Sequence, residues 1–411
     1  MDQNQNQNQN QNQREEKMKS RDIDWSEICI DALRLILESL SFADFHRAKT
    51  VCSNWYSVSK SCVAGSRNRY PWLILFPESE LCFKLLDLRH GKIYKTKGLE
   101  DEFPNPKSRC VASYGNWLLM LSHRLKFSIF NVFTGERIKI RSLSLRGNVR
   151  IERKNNGDFL LEHSWFDRET IINRYIKTAA LWIDEETKDF VVFWIYNDQY
   201  LFSYKKGDDS WWHFEDTKCL AMAYNKEDQK LFVYTSDHFI KILDYSGDDD
   251  MPNEIVEGNM YLNHPFYYDL QPWEYMWKRR VAITTSGDVL IILSLKVLPE
   301  IKSQEKRLFY IFKMSVEGSE WERVDSLENQ MLVFGDGWLT LEDAKEEDIG
   351  GGIIKSDSIY FVADDLWPPQ AHTVFQSSAG VFDLARTEIS WSRLPHYLSN
   401  VRWFVPGSDK K

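Results

Sequence analysis

From about residue 70 onward the chain is a succession of short apolar runs, each closed by Gly, Asp or Asn, and no other feature narrows its fold as much. The runs at 72–76, 117–122, 127–130, 190–196, 231–234, 239–243, 289–293 and 308–312 read as strands separated by turns. One unit recurs: an apolar strand, then Asp or Asn, then a few residues to a Gly or polar turn, then a second strand. Residues 83–86 with Asp87 and Gly91, 127–130 with Asn131 and Gly135, and 240–243 with Asp244 and Gly247 are three copies. Residues 310–312 with Gly318 and Trp321, and Val381 and Phe382 with Asp383 and Trp391, are looser ones. Repeats of this kind, several strands each, are the pattern of propeller blades, in which each small sheet packs on its neighbour and leaves only short edges. An irregular sandwich would give a similar count of strands. The 16 Trp, 18 Tyr and 24 Phe suit either architecture, since large planar side chains fill a pleated, half-buried surface well. A β-propeller-like repeat domain over 65–405, of six or seven irregular blades, is the expected architecture.

The first 64 residues follow different rules. Residues 1–22 are a Gln/Asn repeat followed by a mostly charged stretch, which cannot bury enough apolar area to offset chain entropy; disorder is expected there. Residues 23–64 carry helical periodicity. Leu33, Ile36, Leu37 and Leu40 stand at i, i+3, i+4 and i+7, one continuous face, with Asp31 in position to cap. Residues 41–44 interrupt the pattern, with Asp44 as a second cap, and Val51, Cys52, Trp55 and Val58 form a further stripe. Three short helices make a small core, and units of this size usually need a metal, a disulfide or a partner. The six cysteines show no CxxC and no Cys/His ligand spacing, so a partner is the economical inference and reduced thiols are expected.

Several functional classes are disfavoured. A net charge of −9 argues against a general nucleic-acid binder, which needs a basic face to displace counterions. No window of about 18 uncharged apolar residues is present to cross a bilayer, and the first 14 residues lack the apolar centre of a secretory leader. The nine histidines are scattered, with no HExxH or GxSxG. Gly350, Gly351 and Gly352 are not followed by Lys-Ser/Thr, and Asp248, Asp249 and Asp250 lack the distal Glu of a calcium loop. The triplet Lys278, Arg279, Arg280 is too short for a nuclear signal. No catalytic residue, cofactor or metal is therefore assigned. The aromatic concentration at Tyr261, Phe266, Tyr267, Tyr268, Trp273, Tyr275 and Trp277 is either a recognition patch or blade core.

The sequence Asp24-Trp25-Ser26-Glu27-Ile28-Cys29, then Leu33-x-x-Ile36-Leu37-x-x-Leu40, then Val51-Cys52-x-x-Trp55, resembles the F-box of plant proteins. The family usually has Leu-Pro where this chain has Ile28-Cys29. The remainder is similar to the plant family called domain of unknown function 295, through Leu181-Trp182-Ile183-Asp184, Trp321-Glu322-Arg323-Val324, Met331-Leu332-Val333-Phe334-Gly335, Ser358-Ile359-Tyr360-Phe361 and Gly380-Val381-Phe382-Asp383-Leu384. The resemblance implies a non-catalytic, substrate-recognising subunit of a Skp–cullin–F-box ubiquitin ligase, in the nucleus, the cytoplasm or both. It would dock a Skp-type adaptor, and through it a cullin scaffold, and hold a protein target with the C-terminal domain. The adaptor-binding residues implied are Ile28, Cys29, Leu33, Ile36, Leu37, Leu40, Val51, Cys52 and Trp55. Leu37→Asp is expected to abolish adaptor binding and leave the C-terminal domain folded. The alternatives are a degenerate F-box that binds no adaptor, in which Ile28-Cys29 is the weak point, and a ligand-binding or enzymatic propeller.

Overall fold

The structure is a computed structural model and describes residues 24–62, 70–77, 83–88, 91–96, 109–122, 124–143, 145, 149–153, 159–163, 166–171, 176–214, 218–237, 239–247, 252–257, 259, 261, 274–284, 286–297, 308–315, 320–328, 330–335, 339–343, 356–362, 365, 379–392, 394 and 398–407. The chain divides into two compact units, Met1–Asn68 and Arg69–Lys411. The tail at 1–22, Phe266, Tyr267, Tyr268, Trp273, Asp248 to Asp250 and Gly350 to Gly352 lie outside the described residues.

The first unit holds three helices, α1 Ile30–Ser39, α2 Phe42–Ala48 and α3 Ser53–Ser59, preceded by a single tight turn at Trp25–Glu27. The caps differ from those expected. Cys29, not Asp31, stands at the start of α1, and Asp31 lies within its first turn, where its charge suits the helix dipole. Ser41, not Asp44, caps α2. Its hydroxyl accepts from the Asp44 N–H and donates to the Asp44 carboxylate at 2.7 Å, a reciprocal arrangement that satisfies an otherwise orphaned amide.

The second unit is built from small sheets. Six of them are blades: β1 Trp72–Pro77, β2 Lys84–Asp87 and β3 Lys92–Lys95, joined by β28 Leu398–Phe404; β4 Arg109–Tyr114 to β7 Arg137–Lys139; β11 Ile176–Ile183 to β14 Trp212–Phe214; β15 Cys219–Asn225 to β18 Asn253–Ile255; β19 Glu274–Ile283 to β22 Trp321–Val324; and β23 Gln330–Phe334 to β27 Glu388–Ser392. The propeller is six-bladed. A further three-stranded sheet, β8 Val149–Arg153, β9 Phe159–His163 and β10 Phe166–Ile171, is inserted between the second and third blades. The ring is closed by β28, which pairs antiparallel with β1 from Trp72↔Phe404 to Pro77↔Leu398 and so supplies the first blade with its inner strand. The last blade is irregular. β24 Leu339–Asp343 is its inner strand, and β23 runs parallel to β25 Ser358–Val362, a pairing that needs a crossover.

Five of the six inner strands carry one extra residue near their start. Val111, Lys177, Leu220, Trp277 and Ser399 each have no cross-strand partner at a shift of register. Such bulges sharpen the local twist and bend the strand, as a strand that borders a central channel requires. The recurrent Asp or Asn closes the last strand but one of a blade by accepting turn amides. Asn131 Oδ1 takes the N–H of Phe133 and of Thr134, both at 3.1 Å; Asp244 takes Ser246 at 2.8 Å; Asp383 takes Arg386 at 3.0 Å.

Blade packing explains the aromatic excess. Phe83 meets Phe130 and Trp72 meets Phe133 between the first two blades, and Phe127 meets Trp194 and Trp211 between the next two. The later interfaces mix aromatic and aliphatic side chains: Phe309 meets Phe334, Phe361 and Phe382 between the fifth and sixth blades, and Leu73, Val333, Tyr360 and Trp403 pack the last blade on the first. Among the aromatics left open by the sequence, Tyr261 is blade packing, set against Phe232 and Trp321. Tyr275 is 55% exposed and Trp277 is the bulged residue of β19.

Candidate docking site on the helical unit

The core of the first unit is formed by Leu33, Leu37, Phe45, Ala48, Trp55 and Val58. Ile28, Ile36, Leu40, Cys52 and Cys62 are half-buried against it. The helical stripe therefore marks the inside of the unit. Of the adaptor-binding residues that the resemblance implies, Leu33, Leu37 and Trp55 are therefore core: Leu33 and Leu37 have no exposed surface and Trp55 is 8% exposed. A three-helix unit of this size must close on itself before it can present a face, and these three residues do that. The Leu37→Asp expectation changes with it, since a charge there would break the unit itself. Ile28, Ile36, Leu40 and Cys52 present one edge each, and Cys29 and Val51 are exposed.

Other apolar side chains of this unit are open to solvent. Trp25, Ile30, Leu35, Val51 and Tyr56 are five of the nine exposed large hydrophobic residues among the described ones, although this unit is a small fraction of the chain. Leu35 follows Leu33 by two positions, about 200° around the helix, and so points away from the core. Trp25, Ile30, Leu35 and Tyr56 were not expected from the sequence. The available signal was that Leu35 is apolar but out of phase with the i, i+3, i+4, i+7 pattern; Ile30 shares the helical face of Leu33 and Leu37, so its exposure had no signal in the spacing.

The chain leading into α1 is fastened to α3 by side chains. Trp55 Nε1 donates to the Trp25 carbonyl at 2.8 Å. Asn54 Nδ2 donates to the Ser26 carbonyl at 2.9 Å and to the Ile28 carbonyl at 3.3 Å. The turn itself is capped by Asp24, which accepts from the Ser26 N–H at 3.0 Å and its hydroxyl at 2.6 Å. These bonds hold the Asp24 carboxyl below the usual carboxylate range. Trp25, Ser26 and Ile28 are thus held to α3 along one hydrogen-bonded seam, which Cys29 directly follows. His46 is buried in α2 against Phe45, and burial, with the charge of Lys49 adding to it, holds its imidazole well below the ordinary value.

In the propeller, the Lys278 to Arg280 triplet lies on inner strand β19. Arg280 is buried, bonds Asp365 at 2.5 Å and the Ser294 hydroxyl at 2.9 Å, and stacks over Phe334 at 4.3 Å. Lys278 approaches the same carboxylate at 3.7 Å. This cluster ties the fifth blade to the sixth. Among the described residues no group of three His, Cys, Asp or Glu side chains comes together to hold a metal, and no helix is long and apolar enough to cross a membrane.

Comparison with known proteins places both units. The F-box domain family matches residues 25–65, and the KIB1-4 β-propeller family matches residues 83–383. The chain belongs to the F-box proteins that carry a KIB1-4 β-propeller. It is similar to the Arabidopsis thaliana F-box protein At2g33200, with 47% identity over 93% of this chain and 98% of that one. The Arabidopsis thaliana F-box protein KIB4 is 33% identical over 74% of this chain and 76% of its own length. Among solved structures, the β-propeller domain of Cps50 (Swd1) from Myceliophteria thermophila aligns with a TM-score of 0.31 and 10% identity, over 78% of this chain and 96% of that one. Membership carries the general role of an F-box substrate receptor, a non-catalytic subunit whose F-box engages an adaptor.

Proposed function

We propose that this chain is the target-selecting subunit of a Skp–cullin–F-box ubiquitin ligase, acting in the nucleus, the cytoplasm or both. The F-box docks a Skp-type adaptor, the adaptor connects to the cullin scaffold, and the propeller holds a protein target. The observation that carries this reading is the concentration of exposed apolar side chains, Trp25, Ile30, Leu35, Val51 and Tyr56, on the smaller unit. Apolar surface at this density on so small a body is the mark of a protein interface. The chemistry of ubiquitin transfer belongs to other subunits. This chain contributes proximity: a lysine-bearing target held beside a loaded ubiquitin carrier reacts as if at high local concentration.

The test is reconstitution. The full chain, co-expressed with a Skp-type adaptor and a cullin, is expected to elute with both in one complex. Elution of the chain apart from the adaptor, with the helices intact by hydrogen exchange, would refute the reading.

A further inference from the structure

The F-box pattern puts a proline where this chain has Cys29, and a proline would stiffen the chain leading into α1. The structure shows what stiffens it instead. Cys29 has φ −63° and ψ 147°, inside the range a proline ring imposes, and Ile28, at φ −60° and ψ 135°, has the extended backbone that a residue before proline prefers. Among the described residues the Cys29 N–H has no acceptor, so nothing is lost where proline would lack that hydrogen. The proline geometry is kept without the proline. Three hydrogen bonds from α3 keep it: Trp55 to the Trp25 carbonyl, and Asn54 to the Ser26 and Ile28 carbonyls. Trp55 is also part of the core, whereas Asn54 is only half-buried and touches the lead-in through these two bonds.

We propose that Asn54 is a positioning residue for adaptor docking: its side-chain amide clamps two carbonyls of the lead-in, those of Ser26 and Ile28, and so pre-organises Trp25, Ile28 and Cys29, the work a proline would do. This inference rests on the ligase reading above. Pre-organisation raises affinity by lowering the ordering cost of association, so its loss is felt in binding more than in folding.

The experiment uses the full chain, a recombinant Skp-type adaptor, and three variants: Asn54→Asp, Cys29→Pro and the two combined. Asn54→Asp keeps the size of the side chain but removes both donors. A carboxylate in the first turn of α3 also suits the helix dipole, so the helix is retained. Loss of two modest hydrogen bonds predicts adaptor affinity weakened roughly five- to tenfold. Adding Cys29→Pro is expected to restore affinity to within about twofold of wild type, because the ring supplies the same backbone restraint by other means. Hydrogen exchange without adaptor is the second readout. Asn54→Asp should hasten exchange of the Ser26 and Glu27 amides and leave those of Leu33 and Leu37 unchanged. If wild type binds and Asn54→Asp binds equally well, the proposal fails; if the loss is not recovered by Cys29→Pro, it fails as well. If wild type does not bind the adaptor at all, the ligase reading falls. The clamp is then judged on exchange alone, and unchanged exchange at Ser26 and Glu27 overturns it.

Discussion

Leu37 and Val51 both belong to the F-box pattern, and the structure assigns them opposite fates. Leu37 has no exposed surface and packs within a core of six buried side chains, so Leu37→Ala removes its transfer energy and leaves a cavity. That change costs about 2–5 kcal/mol in a close-packed interior. A unit of roughly 40 residues has of the order of 2–6 kcal/mol of stability in total, at about 0.05–0.15 kcal/mol per residue. The substitution is therefore expected to melt the helical unit in part or whole at room temperature. The propeller, with its own cores, should keep its transition. Val51 is 56% exposed and precedes α3, so Val51→Asp should change stability by no more than about 0.5 kcal/mol. At the interface the same charge is driven out of water, and affinity for a Skp-type adaptor should fall by at least about thirtyfold, the equivalent of 2 kcal/mol or more. Hydrogen exchange across α1, read beside adaptor binding by interferometry, separates the two variants. Protected α1 amides in Leu37→Ala, or undiminished adaptor binding by Val51→Asp, would show that core and docking surface have been assigned the wrong way round.

Three further outcomes follow from buried groups. His46 is held neutral in the folded unit, its imidazole well below the ordinary value, because burial and Lys49 oppose its charge. Unfolding frees it to bind a proton below about pH 6.5, so the helical unit should lose stability as pH falls from there towards the folded value, by up to about 1.4 kcal/mol per unit, and His46→Leu should flatten that slope in melts taken from pH 7.5 to 5.5. Asp365→Ala removes the carboxylate that balances the buried charge of Arg280 and deprives the Val362 N–H of its acceptor at 2.9 Å, so the propeller should lose about 3–5 kcal/mol in denaturant unfolding while the helical unit is unaffected. At Gly380 an added Cβ would sit 2.7 Å from the Phe361 ring, which is itself packed against Phe309 and Trp391, so Gly380→Ala should cost about 1–3 kcal/mol by the same measurement.

The strands were legible because a strand buried on both faces needs an unbroken apolar run, and 190–196 and 117–121 are buried at every position. The Asp and Asn repeat was legible for a chemical reason: Asn131, Asp244 and Asp383 each accept turn amides that would otherwise lack a partner. The bulges were not legible. Val111, Lys177, Leu220, Trp277 and Ser399 share no property, because an unpaired residue is defined by the register around it and not by its own side chain. The crossover in the last blade escaped for a related reason, since a parallel and an antiparallel neighbour leave the same apolar run. In the helical unit, spacing told which residues share a face and left open what covers that face. Leu33 and Leu37 turned out to be covered by α2 and α3, and the open surface fell to residues such as Leu35 that break the period. The Asn54 clamp was invisible at sequence level, since its two acceptors are backbone carbonyls more than 25 positions away.

The pairing of β28 with β1 has a consequence for synthesis. The first strand leaves the ribosome roughly 320 residues ahead of the one that completes its sheet. At about 5–20 residues per second, that is an interval of roughly 15 seconds to a minute. Throughout it the three helices, whose shared core is drawn from residues 28–62, can already be folded while the ring stands open. A nascent or prematurely terminated chain would offer its coupling end to the rest of the machinery with no means of holding cargo, and so would compete with finished receptors for a shared platform.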